Sequence, residues 1–81
     1  MPTYLVEAYV ARTSAGGLQD VARAAAELPG AHLLSAVFLP EDETCFLLYE
    51  AASAERLGSA GRRARMPWQR VQEAIIPFPP G

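Results

Sequence analysis

The run Thr44-Cys45-Phe46-Leu47-Leu48-Tyr49-Glu50-Ala51 is the most apolar stretch of the chain, closed in by Glu41-Asp42-Glu43 before it and Ala52-Ser53 after it. Eight residues rich in types that favour extended backbone, bounded by polar turn residues, predict a strand covered on both faces. A second run, Thr3-Tyr4-Leu5-Val6-Glu7-Ala8-Tyr9-Val10, has the same character. Each of these apolar strands carries one carboxylate, Glu7 in the first and Glu50 in the second, and those two acids are the anomaly to be explained.

The elements between them follow from periodicity. Within residues 3–10, Tyr4, Val6, Ala8 and Val10 fall on one side and Leu5, Glu7 and Tyr9 on the other. Arg12 to Gly17 reads as a loop with a Ser14 cap, after which Leu18, Val21, Ala22, Ala25 and Leu28 recur at helical spacing until Pro29-Gly30 stops them. Ala31 to Leu39 is extended again, and Pro40-Glu41-Asp42-Glu43 suits a hairpin into the strand at 44–51. Ser53 caps a second helix over Ala54 to Ala64, weakened by Gly58 and Gly61. A last strand is expected from Arg70 to Ile76, before the proline-rich end.

This βαββαβ order is the ferredoxin-like arrangement, an α+β fold with a four-stranded antiparallel sheet and two helices on one face. It predicts a single domain over residues 1–77 and a proline-rich tail over 78–81. Val6 and Ala8 are small enough for close approach by the alanine-rich first helix. Leu5, Glu7 and Tyr9 then lie on the side that no helix covers, and Phe46, Leu48 and Glu50 are expected to share it. A bare sheet face of Leu, Phe and Tyr is a large apolar patch, so two copies are expected to pack these faces together as a homodimer.

Composition limits the remaining options. At 81 residues an isolated core is marginal, so self-association would supply missing burial. A net charge of −2 creates no long-range attraction for nucleic acid or for an anionic membrane. No run reaches the ~18 apolar residues that span a bilayer, and the N-terminus lacks a basic region leading into an apolar core. A soluble cytoplasmic protein is expected. The single Cys45 sits in an apolar strand and reads as a small buried hydrophobe rather than a nucleophile. No Ser/His/Asp set and no phosphate-binding glycine pattern is present. His32 is the one histidine and makes a poor metal site alone.

In the usual strand order of this fold the first and third strands are adjacent, which would bring Glu7 and Glu50 together in the cavity between two sheets. Two enclosed carboxylates repel each other and lose solvation, the conditions that make a general acid or base, and the same pair could hold a metal ion or simply pair with arginine or tyrosine. The candidate ligand-binding set is therefore Leu5, Glu7, Tyr9, Phe46, Leu48 and Glu50, with Glu7 and Glu50 the candidate catalytic groups. Tyr4, Tyr9 and Tyr49 suit either a cavity wall or a core position with the hydroxyl at its edge. Glu73 is either a third cavity acid or an edge-strand surface residue. Arg62, Arg63 and Arg65 complement the dipole at the end of the second helix, with anion binding as the alternative.

Three segments together carry a resemblance: Met1-Pro2-Thr3-Tyr4-Leu5-Val6-Glu7, Tyr49-Glu50-Ala51, and Arg62 through Glu73 with its Arg-Met-Pro-Trp-Gln-Arg-Val core. In order and length the chain resembles the small nickel-binding or nickel-responsive proteins of actinomycetes. The resemblance implies a ferredoxin-like dimer with nickel sites built from histidine and carboxylate ligands. It also implies a histidine in the second strand, shortly before the acidic hairpin, and another in the second helix. Here those places, near Val37 and Ala60, hold apolar residues, and His32 comes several residues too early to substitute. Glu7 and Glu50 still match. Nickel favours imidazole, so its binding is expected to be weakened or lost and no residue is assigned to metal.

Two functions that use the cavity remain open. One is a homodimer that binds a small-molecule ligand, or residual nickel, in an acidic inter-sheet cavity. The other is a cofactor-free enzyme of the monooxygenase, isomerase or cyclase type, using a buried Glu as acid or base. A purely structural or regulatory role, with the tail and Phe78 docking elsewhere, is a third possibility.

Overall fold

In the computed structural model, which describes residues 1–12 and 16–78, strand β3 (Thr44–Ala51) lies inside the sheet with a partner on each side. Strand β1 (Thr3–Tyr9) pairs with it antiparallel along one edge and β2 (Ala31–Leu39) along the other, while β4 (Trp68–Ala74) adds to the far side of β1. The order is β2-β3-β1-β4. Helices α1 (Gly17–Ala26) and α2 (Ala54–Arg63) complete the sequence β-α-β-β-α-β, a ferredoxin-like α+β fold.

Alternation decides which side is the core. Along β3, Cys45, Leu47, Tyr49 and Ala51 are buried and the residues between them only half-buried. On β1, Tyr4, Val6 and Ala8 are buried in the same way, and both sets join Ala25 and Leu28 from the α1 region and Leu57 of α2 in one cluster. Leu5, Glu7, Tyr9, Phe46, Leu48 and Glu50 have the opposite parity, so they project from the face without helices.

Particular contacts fix the helices to the sheet. The Tyr49 hydroxyl donates to the Ala25 carbonyl oxygen at 2.8 Å, satisfying a helix-end acceptor that no later turn of α1 can reach. Tyr4 and Tyr49 are thus core tyrosines, and Tyr9 alone of the three lies on the open face. Ser53 caps α2 as expected, its Oγ accepting from the Arg56 N–H at 3.1 Å. Gly30, with φ 77°, turns the chain out of the α1 region. The Ser14 cap lies outside the described residues, and the N-cap of α1 is Gly16 without a side-chain bond. Of the tail, Pro79 to Gly81 also lie outside them.

Strand β4 begins and ends two residues earlier than its sequence pattern suggests. Tyr9 N–H donates to the Pro67 carbonyl at 3.0 Å, which starts the pairing before Trp68. At the other end Ala74 opposes Thr3, and the next position on β1 is Pro2, which has no N–H to continue the ladder. The early start also places Trp68 over α2, its ring centroid 5.7 Å from that of Tyr49.

Gly61 is the seat of that indole. A Cβ there would overlap Cε3 and Cζ3 of Trp68, whereas at Gly58 it would meet only the far end of the Arg62 side chain at 3.4 Å. Both glycines look like helix weaknesses in sequence, but only Gly61 is required. Gly61→Ala is expected to lower unfolding free energy by about 1–3 kcal/mol in urea denaturation through overpacking. Gly58→Ala should instead be neutral or stabilising by up to about 1 kcal/mol, and equal effects at the two sites would refute the assignment.

Candidate functional site on the open sheet face

The open face receives its side chains by strand parity, so pairing register decides which of them meet. Glu50 opposes Thr3 and Glu7 opposes Phe46. The two carboxylates share a face and occupy neighbouring strands, but they stand four residues apart along the ladder. At ~3.3 Å per residue this is about 13 Å. The expected meeting of Glu7 and Glu50 is therefore corrected: antiparallel pairing sets the end of β3 against the start of β1 and carries Glu7 away from it.

Each acid has a different cross-strand neighbour. Glu7 faces Arg70 of β4, an opposite-charge pairing across the ladder. Glu50 faces His32 of β2, with Nδ1 to Oε1 at 3.5 Å; the imidazole is 70% exposed and the carboxylate 36%. A carboxylate at this distance attracts a protonated imidazole and can orient a neutral one, so the pair is a polar handle at the water-facing edge of an apolar surface.

His32 reaches this face because of an irregularity in β2. Leu39 opposes Thr44 and Ser35 opposes Leu48, but the register then shifts between Leu33 and Ser35, so that Leu33 opposes Tyr49 and His32 opposes Glu50. An uninterrupted hairpin would have set Leu33 against Glu50 and turned His32 to the helix side. One extra residue at Leu34 reverses the side chains beyond it.

The same end of the open face holds a pocket of about 610 Å³, with walls that include Thr3, Leu34, Leu48, Glu50, Glu73 and Ile76. Of the residues expected to bind a ligand, the pocket gathers Leu48 and Glu50. Leu5, Glu7, Tyr9 and Phe46 share the sheet face but not the pocket wall. Glu73 opposes Tyr4 on edge strand β4 and is exposed, and it contributes to the rim of the same pocket. Leu34 and Ile76 were not evident in sequence, since a bulge and the irregular segment after β4 place them.

Among the described residues no three of His, Cys, Asp or Glu converge closely enough to hold a metal ion. Val37 is exposed on the open face while Ala60 packs toward the core on the helix side. The basic cluster Arg62, Arg63 and Arg65 is exposed at the end of α2, where the Arg62 guanidinium donates to Ser59 Oγ at 3.2 Å. No helix among the described residues is long and apolar enough to cross a membrane.

The fold and the placement of this pocket define a ferredoxin-like α+β domain with an uncovered sheet face. No protein-family model matches the chain, and no curated protein matches it either. Among solved structures it is similar to the crystal structure of SCO4226 from Streptomyces coelicolor A3(2), with a TM-score of 0.75 and 18% identity over 96% of this chain and 99% of that one. At that identity the likeness establishes the fold alone.

Cys45 lies on the helix side, buried between β1 and β2, and burial pushes its thiol above the ordinary range. The same burial, with the nearby Cys45 charge as a smaller cause, raises the Tyr49 phenol. A raised thiol pKa leaves less thiolate at neutral pH, and enclosure blocks approach. Native protein is expected to react with Ellman's reagent at least about tenfold more slowly than urea-unfolded protein at the same pH. Equal rates would return Cys45 to the list of reactive groups.

Proposed function

We propose that the chain is a small-ligand-binding protein acting as a homodimer, its two open sheet faces enclosing an acidic cavity, with the nickel binding of the family it resembles weakened. The observation that carries this reading is the 610 Å³ pocket, which opens on an uncovered apolar sheet face and has Glu50 in its wall. Its volume falls within the range of small-molecule sites, and its mixture of Leu34, Leu48 and Ile76 with carboxylates suits a ligand having an apolar body and a polar or cationic group.

Assembly follows from what a lone copy would expose. Leu5, Phe46 and Leu48 stand on the two central strands, flanked on the same face by Tyr9, Val37 and Leu39. A second copy presents the same patch and covers it by two-fold packing, with sheets about 10 Å apart. The carboxylates of both copies keep part of the enclosed space polar and available to a ligand. His32 and Glu50 supply one imidazole and one carboxylate per chain for residual nickel, a weaker donor set than several histidines. With Glu7 and Glu50 separated, an acid–base mechanism based on a carboxylate pair loses its support.

Sedimentation equilibrium is expected to show self-association at micromolar concentration, with Leu48→Lys halving the mass of the associated species. A wild-type monomer throughout that range overturns the homodimer. Titration with nickel should give a dissociation constant weaker than about 1 μM, lost in Glu50→Gln. Tight stoichiometric binding would contradict the weakened metal site. Enhanced fluorescence of the neutral dye Nile red should likewise disappear in Leu48→Lys, whereas its absence from the wild type removes the apolar cavity.

A further inference from the structure

The two edges of the sheet are protected to different degrees. On β4, Arg70 and Glu73 place charges along the strand, a register shift interrupts its pairing opposite Glu7 and Ala8, and Pro77 follows closely. These are devices that prevent edge-to-edge pairing. Strand β2 runs for nine residues with no charged side chain from Leu33 to Leu39, and Leu34, Val37 and Leu39 are 42%, 52% and 39% exposed. Its outer row of backbone N–H and C=O groups faces away from β3, the strand it pairs with.

The geometry points to a second self-association surface, in which β2 of one copy pairs antiparallel with β2 of another about a two-fold axis at Val37. In this register Ala36 opposes Phe38, and Ser35 opposes Leu39. Val37 meets itself, a β-branched pair suited to a sheet. Ala36 and Phe38 lie on the helix side, opposite Leu47 and Cys45 of β3, while Ser35, Val37 and Leu39 lie on the open face. On each face a large side chain therefore meets a small one.

The register also brings together the places where β2 cannot pair. Leu34, where the ladder shifts, opposes Pro40, which has no N–H to contribute. Five regular residues are thus bounded at both ends by coincident interruptions. Moving the axis to Ala36 would set Leu34 against Phe38, and moving it to Phe38 would set Pro40 against Ala36; both break the paired stretch. Beyond the bulge, His32 approaches the acidic Glu41-Asp42 turn of the other copy. The coincidence of the interruptions and the large-to-small pairs is a property of β2 set against itself, so a second copy is the occupant. This surface is distinct from the open face, and with both in use about perpendicular, intersecting two-fold axes the association closes at four copies.

Val37→Cys tests the register directly. Opposed antiparallel residues have Cα atoms about 4.5–5.5 Å apart, within the ~4.4–6.8 Å span of a disulfide. Mild oxidation is expected to link two Val37→Cys chains, while wild type, with Cys45 buried, stays unlinked. Leu39→Cys alone should not link, but an equimolar mixture of Ser35→Cys and Leu39→Cys chains should. Failure of both the Val37→Cys and the mixed linkage overturns the register. Sedimentation separates this edge from the face pairing: Ala36→Lys, on the helix side and exposed, should halve the wild-type mass, as should Leu48→Lys by the other surface. An effect of Leu48→Lys without one of Ala36→Lys overturns edge pairing and leaves the face dimer standing. The reverse result keeps edge pairing and removes the face dimer.

Discussion

Alternation along β3 is the constraint on which the rest of the molecule depends. Cys45, Leu47, Tyr49 and Ala51 face the helices and are buried, while Phe46, Leu48 and Glu50 face away. Since β3 pairs with both β1 and β2, its parity passes to its neighbours through hydrogen-bond register. One strand therefore determines which residues of three strands form the core and which form the open face. The Tyr49 hydroxyl bond to Ala25 extends that control to α1, and contact between Tyr49 and Trp68 extends it through Gly61 to α2.

The division has a chemical consequence. The helix side contains the fully enclosed hydrophobic side chains, whereas the acids of β1 and β3, the His32 imidazole and the 610 Å³ pocket are associated with the other side. Burying a charge requires partners, and on the open face Arg70 and His32 stand across from Glu7 and Glu50 without entering the core. Polar groups that a ligand could use are thus kept on a rigid sheet, outside the packing that holds the fold together.

Most of this was legible in sequence because the signals were local. Pro40 and Pro29-Gly30 marked the turns, Ser53 marked a helix start, and the parity of Val6 and Ala8 against Leu5 and Glu7 identified the core face. The details of the candidate site were less visible because they depend on register. Counting back from the 40–43 turn places Leu33, not His32, opposite Glu50, and nothing in Leu33-Leu34-Ser35 announces the extra residue that reverses them. The separation of Glu7 and Glu50 follows from the pairing of Thr3 with Glu50, which strand order alone does not specify. Trp68 was overlooked because its importance lies in the absence of a side chain at Gly61.

These distinctions explain how the fold can be shared with SCO4226 at 18% identity. The helix side needs a pattern of sizes: small residues at Ala8, Ala25 and Gly61, and large ones at Leu47, Tyr49 and Leu57. Many sequences can meet that pattern if volume and parity are kept. The open face is under no such requirement. A substitution at an exposed position such as Val37 leaves every core contact in place. The surface character of this scaffold can consequently change one side chain at a time, and the His32–Glu50 pair shows a second route, in which a one-residue bulge brings a polar side chain to the open face without altering β3.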